Sequence, residues 1–189
     1  MYIERALEPL VRRYSLYFKA VVVTGPRQVG KTTMLKHMME QDAERGFKRN
    51  YVTMDDTALR MAAQEDPPLF LQRYKAPILI DEIQKAPELL PYIKIALDSS
   101  DENGSFWLTG SQPFHLMKHV SETLAGRVGI IEMLGLSNSE IAGVQSQPFD
   151  PGEGYFESRV GVTKPFDVTE AYERIAAGSL PGIRALPAD

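Results

Sequence analysis

The chain has 189 residues, of which 43% are hydrophobic and 24% are charged, and its net charge is −4. These values fit one α/β domain, alone or with a short extension, and argue against a dominant basic surface for nucleic acid. The absence of cysteine excludes disulfides, cysteine zinc sites and thiol catalysis. Because the sequence also shows no signal peptide and no apolar run long enough to cross a bilayer, we expect a cytoplasmic protein with no membrane partner.

The first predicted element is an amphipathic helix. Apolar residues recur at intervals of three and four from Ile3 to Tyr14, while charged residues such as Glu4 and Arg12 lie on the opposite face. Pro9 falls inside this pattern, and we expect it to kink or split the helix. The apolar run at residues 20–23 then predicts a strand.

A glycine-rich loop joins this strand to a predicted helix with Met34, Leu35 and Met38 on one face. The spacing Gly-x-x-x-x-Gly-Lys-Thr is typical of a phosphate-binding loop, in which backbone N–H groups and a helix N-terminus surround an anion. In this pattern Lys31 reaches the β- and γ-phosphates, and the Thr32 hydroxyl binds Mg²⁺. The predicted phosphate-binding residues are Gly25, Pro26, Arg27, Gln28, Val29, Gly30, Lys31, Thr32 and Thr33.

Two acidic residues follow a later strand. Residues 77–80 form a short apolar run without alternation, which is typical of a strand buried on both faces of a parallel sheet. Asp81 and Glu82 come next, at the edge where ligands bind in open α/β sheets. We expect Asp81 to hold Mg²⁺ and Glu82 to act as the general base that activates a water. A solvated helix start is the alternative interpretation of the pair.

The fourth predicted strand, residues 105–111, also ends in polar residues. Thr109, Ser111 and Gln112 are candidates for hydrogen bonds to the γ-phosphate or the attacking water, although Ser111 could instead cap the next helix, predicted from about Pro113 to Val120. Arg127 precedes the fifth strand. An arginine there can neutralise transition-state charge in its own chain or in a neighbouring subunit, and a surface ion pair is the alternative.

Five alternations of strand and helix predict an α/β fold, a three-layer αβα sandwich around a five-stranded parallel sheet. We expect residues 1–142 to form the core with its N-terminal helix. Residues 143–166 lack periodicity and predict a loop or linker. Residues 167–189 predict a C-terminal helix and tail, and the spacing of Ser137 and Glu140 predicts a capping box at a short helix.

Five motifs stand in order along the chain: GPRQVGKTT, ILIDEIQKAPEL, FWLTGSQ, LAGRV and LGLSNSE. Together they resemble the prokaryotic AAA+-like P-loop ATPase family whose members carry GPRQVGKT and DEIQ motifs. The resemblance covers roughly Tyr2 to Ile141. Members of that family usually continue into a second domain, so the resemblance implies that activity depending on that domain lies outside these residues.

The resemblance implies a sheet of the ASCE type, with the sensor strand between the strand of the phosphate loop and the strand of the two acids. It implies that ATP is the nucleotide, that Lys31 and Thr32 are Walker A residues, and that Asp81 and Glu82 are Walker B residues. The stretch from Thr109 to Gln112 is similar to the sensor-1 region, and Arg127 matches the Gly-Arg motif of the family.

The residues and the resemblance together predict Mg²⁺-dependent ATP hydrolysis coupled to a conformational change in a C-terminal domain or a protein partner. A small-molecule kinase and a nucleotide-dependent switch with little turnover are the alternatives. Adjacent acids after a strand favour water activation over transfer to a bound hydroxyl. A homo-oligomer would supply an arginine in trans. DNA is a partner that the family context allows and that the composition does not require.

Overall fold

The computed structural model describes residues 2–111, 120, 123–144, 152, 154–160 and 167–184. The chain divides into two compact units. One spans residues 7–134, and the other comprises the described parts of residues 1–6 and 135–189.

The larger unit is built on a parallel sheet of five strands. Their order across the sheet is β2-β3-β4-β1-β5, and every neighbouring pair is parallel. The strands are β1 (Ala20–Thr24), β2 (Asn50–Thr53), β3 (Ile78–Asp81), β4 (Phe106–Gly110) and β5 (Val128–Glu132). The predicted fold class is confirmed, and β4 lies between β1 and β3, as the resemblance implies.

Helices cover both faces of this sheet. On one face the even-numbered strand residues, such as Val22 and Ile80, pack with Ile93 of α5 in a buried apolar cluster. On the other face the indole nitrogen of Trp107 donates to the Ser15 hydroxyl of α1, 2.9 Å away. The helices are α1 (Glu8–Tyr17), α2 (Lys31–Glu44), α3 (Thr57–Glu65), α4 (Pro67–Arg73) and α5 (Leu89–Asp98), and a 3-10 turn spans Ile83–Lys85.

The first helix begins later than its apolar pattern predicts. It begins at Glu8, so the prediction of a helix from Ile3 is wrong for its first residues. Pro9 does not kink the helix, because it lies in the first turn. A helix has no intrahelical partner for the N–H groups of that turn, so the missing N–H of proline costs nothing there.

The smaller unit contains short helices. The capping box is confirmed, since the Ser137 hydroxyl accepts from the Glu140 N–H and the Glu140 carboxylate accepts from the Ser137 N–H. The segment predicted as loop or linker contains a helix, which its aromatic and charged sequence does not mark by periodicity. The helices are α6 (Asn138–Ile141), α7 (Tyr155–Val160), α8 (Val168–Ala177) and α9 (Pro181–Arg184).

Within this unit Arg5 forms an ion pair with Glu140 at 2.9 Å, with both side chains buried. The predicted domain ranges 1–142, 143–166 and 167–189 stay predictions. The helix predicted from about Pro113 lies outside the described residues except for Val120, which is helical.

Candidate active site

The glycine-rich loop begins where β1 ends, and its first position requires glycine. Gly25 has φ 141°, and a β-carbon there would lie 2.0 Å from the carbonyl oxygen of Met133. Met133 is fixed in place because its N–H donates to the Thr24 carbonyl at 2.8 Å. Gln28 (φ 65°) and Gly30 (φ 95°) are left-handed as well. The loop therefore curls tightly before α2.

The amino end of α2 is open to an anion. Gly30 is its N-cap residue, and no side chain in the described ranges caps this end. The N–H groups of a first helical turn have no intrahelical partners and carry partial positive charge, which makes them suitable for a phosphate. Pro26, Arg27 and Gln28 are exposed along the outside of the loop and Thr33 is exposed on the first turn, whereas Val29 is buried.

Lys31 is buried beneath the loop. Its ammonium donates to the carbonyl oxygens of Gly25 at 3.0 Å and of Pro26 at 2.7 Å. Burial lowers the pKa of Lys31 and outweighs the opposing attraction of Glu82 and Asp81. The loop thus holds a partly desolvated cation next to the open N-terminus of α2.

Asp81 is the buried centre of a hydroxyl network. Its Oδ1 accepts hydrogen bonds from Thr32 at 2.6 Å and from Thr109 at 2.5 Å. Its Oδ2 makes longer contacts, at 3.5 Å with the Tyr51 hydroxyl and at 3.4 Å with the Thr53 hydroxyl. Carboxylate and hydroxyl oxygens are the donors that Mg²⁺ prefers, so Asp81 and Thr32 fit the predicted metal.

Glu82 follows directly in a constrained turn. It has φ 56° and ψ 45°, a left-handed conformation that is costly for a residue with a side chain. Its N–H donates to the Thr109 hydroxyl oxygen at 3.0 Å. Ser111 donates to Glu82 Oε1 at 2.6 Å, and the Gln84 amide donates to Oε2. The backbone and both carboxylate oxygens of Glu82 are therefore held in place.

Thr109 has a different position from the one we expected for a γ-phosphate sensor. It is fully buried, its single hydrogen is donated to Asp81, and its oxygen accepts from Glu82. The hydroxyl therefore joins the two acids to each other. Of the other two predicted residues, Ser111 contacts Glu82, and Gln112 lies outside the described residues.

Arg127 is not brought to these residues. Its carbonyl accepts from the N–H of Ala20, the first residue of β1, whereas the loop follows the last residue of that strand. Five residues of strand span about 16 Å. Its guanidinium pairs with Asp98, and that hydrogen bond raises the pKa of Arg127. Action on a nucleotide in the same chain does not agree with this position, which is a correction to that part of the prediction.

Sequence reasoning missed three residues of the site, namely Tyr51, Thr53 and Gln84. Thr53 ends β2 and stands in register with Asp81 of β3, so the hydroxyl at the end of a neighbouring strand was the available signal. Tyr51 lies two residues earlier and so points to the same side of the sheet. Gln84 is the last residue of the DEIQ motif, so the motif was the available signal, but only the turn after Glu82 brings its amide back to the carboxylate.

A family model described as "AAA domain" matches residues 17–142. The chain belongs to the AAA domain family. The chain is 35% identical over 121 residues to the uncharacterised proteins Rv2008c of Mycobacterium tuberculosis and Mb2031c of Mycobacterium bovis. The match covers 64% of this chain but 26% of each relative, so the chain spans about a quarter of the length of these curated relatives.

The chain is also similar in fold to solved structures. AMPPCP-bound DnaA from Aquifex aeolicus matches with a TM-score of 0.54 and 17% identity, over 98% of this chain and 65% of that one. A DNA replication initiation factor matches with a TM-score of 0.51 and 14% identity, over 90% of this chain and 57% of that one. Among the described residues, no helix combines the length and apolar character that crossing a membrane requires.

Proposed function

We propose that this AAA domain binds Mg²⁺-ATP at the loop from Gly25 to Thr33 and hydrolyses it. One observation carries the proposal: a continuous series of hydrogen bonds runs from Thr32 through Asp81 and Thr109 to the N–H of Glu82. This series links the phosphate-binding helix to the acidic turn, so the expected metal ligands and the expected base form one unit.

Each residue of that unit has a defined role in the proposed reaction. Lys31 and the N–H groups of the first turn of α2 bind the β- and γ-phosphates, and Asp81 and Thr32 hold the metal. Mg²⁺, when bound, offsets the negative charge of the phosphate oxygens. Glu82 accepts a proton from the attacking water, and its fixed backbone and carboxylate keep it oriented for that step.

We further propose that hydrolysis drives a conformational change in a C-terminal domain or a protein partner. The curated relatives are about four times longer than the matched segment, which leaves room for such a domain in proteins of this kind. Arg127 would act only on a nucleotide bound to a neighbouring copy. Hydrolysis per chain would then rise with protein concentration, and Arg127→Ala would remove that rise.

The main experiment separates ATP binding from hydrolysis. Glu82→Gln is expected to bind Mg²⁺-ATP with a Kd within about threefold of the wild type and to lose at least about 100-fold in the single-turnover hydrolysis rate, because general-base catalysis contributes about 10²–10⁴-fold. Glu88→Gln is the matched control. It makes the same chemical change at an exposed glutamate before α5, and we expect wild-type hydrolysis.

Three outcomes would contradict the proposal. Hydrolysis at the wild-type rate in Glu82→Gln would exclude Glu82 as the base. Failure of the wild-type chain to bind Mg²⁺-ATP would exclude the site itself. ATP consumption that depends on an added metabolite would favour the small-molecule kinase.

A further inference from the structure

Gln84 lies in a turn whose position is fixed by packing. The 3-10 turn Ile83–Lys85 follows Glu82, and Ile83 is fully buried in the apolar cluster beneath the sheet. The Lys85 N–H donates to the Glu82 carbonyl at 3.0 Å and closes the turn. The turn therefore directs the Gln84 amide nitrogen to Glu82 Oε2, where it donates a hydrogen bond.

The other end of the same amide group has no hydrogen-bond partner among the described residues. The carbonyl oxygen of Gln84 is buried and accepts no hydrogen bond in the part of the chain that the structure describes. Buried polar atoms are nearly always hydrogen-bonded, and one that is not lowers the stability of the fold. An apolar side chain of similar size would avoid that cost, so the stability of the turn does not explain a glutamine here.

Within the described part of the chain, the side chains that donate to the Glu82 carboxylate are neutral. Ser111 donates to one carboxylate oxygen and Gln84 to the other, and together they fix the carboxylate. A carboxylate oxygen has two lone pairs, so each oxygen retains one for a further hydrogen. The base and the unpartnered carbonyl thus belong to one rigid pair of side chains, joined through the Gln84 amide.

A water that attacks phosphorus must direct a lone pair at it, and both of its hydrogens then need acceptors on the opposite side. We propose that Gln84 is a further residue of the hydrolytic site, which orients the attacking water with its carbonyl oxygen and holds Glu82 with its amide nitrogen. This inference rests on the proposed ATP hydrolysis.

In the proposed step the water oxygen forms a bond to the γ-phosphorus, and the bond from that phosphorus to the β,γ-bridging oxygen breaks. The bonding pair leaves with ADP. One proton of the water passes to Glu82, and the hydrogen that faces Gln84 stays on the oxygen that becomes part of inorganic phosphate. Gln84 itself exchanges no proton.

The test compares two glutamines. Gln84→Leu removes the amide with little change in volume, and we expect the single-turnover rate of Mg²⁺-ATP hydrolysis to fall about 10- to 100-fold, with the Kd of Mg²⁺-ATP within about threefold of the wild type. We also expect the Tm to stay equal or to rise, because the unpartnered buried carbonyl is removed. A glutamine needed only for structure would give the opposite result, a lower Tm.

Gln64→Leu is the matched control. The exposed Gln64 of α3 also donates its amide to this turn, at 3.3 Å from the Lys85 carbonyl, but it does not contact Glu82. We expect wild-type hydrolysis from this variant. An equal loss of hydrolysis in both variants would overturn the inference, since any disturbance of the turn would then be enough.

Failure of this inference is distinguishable from failure of the proposed function. If Glu82→Gln abolishes hydrolysis while Gln84→Leu hydrolyses at the wild-type rate, the role of Gln84 is excluded and the base assignment stands. If Glu82→Gln hydrolyses at the wild-type rate, both are excluded.

Discussion

Polar groups at the two edges of the sheet have different surroundings. At the carboxyl edge, strands β1, β3 and β4 run into a glycine-rich loop, a pair of acids and a hydroxyl network around the buried Asp81. At the amino edge, half-buried cations are paired locally, as Arg127 is with Asp98 and Lys19 with the Leu97 carbonyl. At the carboxyl edge the first turn of α2 is open to a ligand, whereas the cations at the amino edge are already paired with neighbouring residues.

The cations at the two edges show this difference directly. Burial lowers the pKa of Lys31, so the loop holds its charge at a cost that a phosphate would relieve. A hydrogen bond to Asp98 raises the pKa of Arg127, so that charge is already compensated. The groups that surround a cation are therefore better evidence for a binding role than the motif in which the cation occurs.

The largest expected effect comes from glycines at the two edges. Gly25→Ala places a β-carbon 2.0 Å from the Met133 carbonyl oxygen, so the loop must move. We expect Mg²⁺-ATP binding to weaken at least about 100-fold, or about 2.8 kcal/mol. Gly126→Ala at the amino edge has φ 76° and open space around the new carbon, so only strain of about 1 kcal/mol is expected, with unchanged ATP affinity. Titration calorimetry and thermal unfolding measure both, and equal losses of affinity would remove the contrast between the edges.

A smaller effect is expected from buried hydroxyls. Thr109→Val leaves Asp81 and the Glu82 N–H each short of a partner, so we expect a loss of about 1–3 kcal/mol in the free energy of unfolding. We also expect a roughly 10-fold slower hydrolysis, because the acids lose their common support.

Ser105→Ala at the amino edge removes a hydroxyl that donates to the Lys19 carbonyl at 3.1 Å. We expect a loss of about 1 kcal/mol and wild-type hydrolysis from that variant. If Ser105→Ala also hydrolyses ATP more slowly, any loosening of β4 is enough to slow the reaction, and the contacts of Thr109 have no special role.

The smallest expected effect is a pH dependence. The Lys31 charge is present below its pKa and is lost as the pH rises through a value lower than the ordinary lysine pKa of 10.5. Affinity for Mg²⁺-ATP should therefore be constant near neutral pH and begin to fall at a lower pH than the loss of charge from an ordinary lysine would cause. Because the unfolded chain keeps this proton up to the ordinary pKa, the contribution of Lys31 to the free energy of unfolding rises with pH between the lowered pKa and the ordinary one. Arg127→Ala should leave the affinity profile unchanged, and a flat wild-type profile would contradict the role of Lys31.

Much of the fold follows from local sequence. Unbroken apolar runs such as residues 20–23 and 78–80 are typical of strands buried on both faces, and their alternation with helices favours a parallel sheet. The loop and the acids could be predicted because phosphate binding and water activation need particular residue types at a fixed short spacing, which the sequence shows directly. The capping box at Ser137 could be predicted for the same reason, since both of its partners lie within four residues.

Other parts depend on contacts that no local pattern contains. Thr109 was expected to face a phosphate, but the neighbouring β3 places Asp81 beside its hydroxyl. Arg127 is part of the LAGRV motif, yet the direction of the strands puts it at the amino edge of the sheet. Tyr51 and Gln84 enter the site through strand register and a turn, and both are properties of the folded chain.

The position of β4 between β1 and β3 has a consequence for communication within the domain. The loop strand and the acid strand are not neighbours in the sheet, and each of them is hydrogen-bonded to β4 along its length. The strand that leads into the loop and the strand that ends in the acids can therefore shift relative to each other only if one of them also shifts against β4. A displacement of the loop would reach the acids by two routes, through β4 (Phe106–Gly110) and through the hydrogen bond from Thr32 to Asp81.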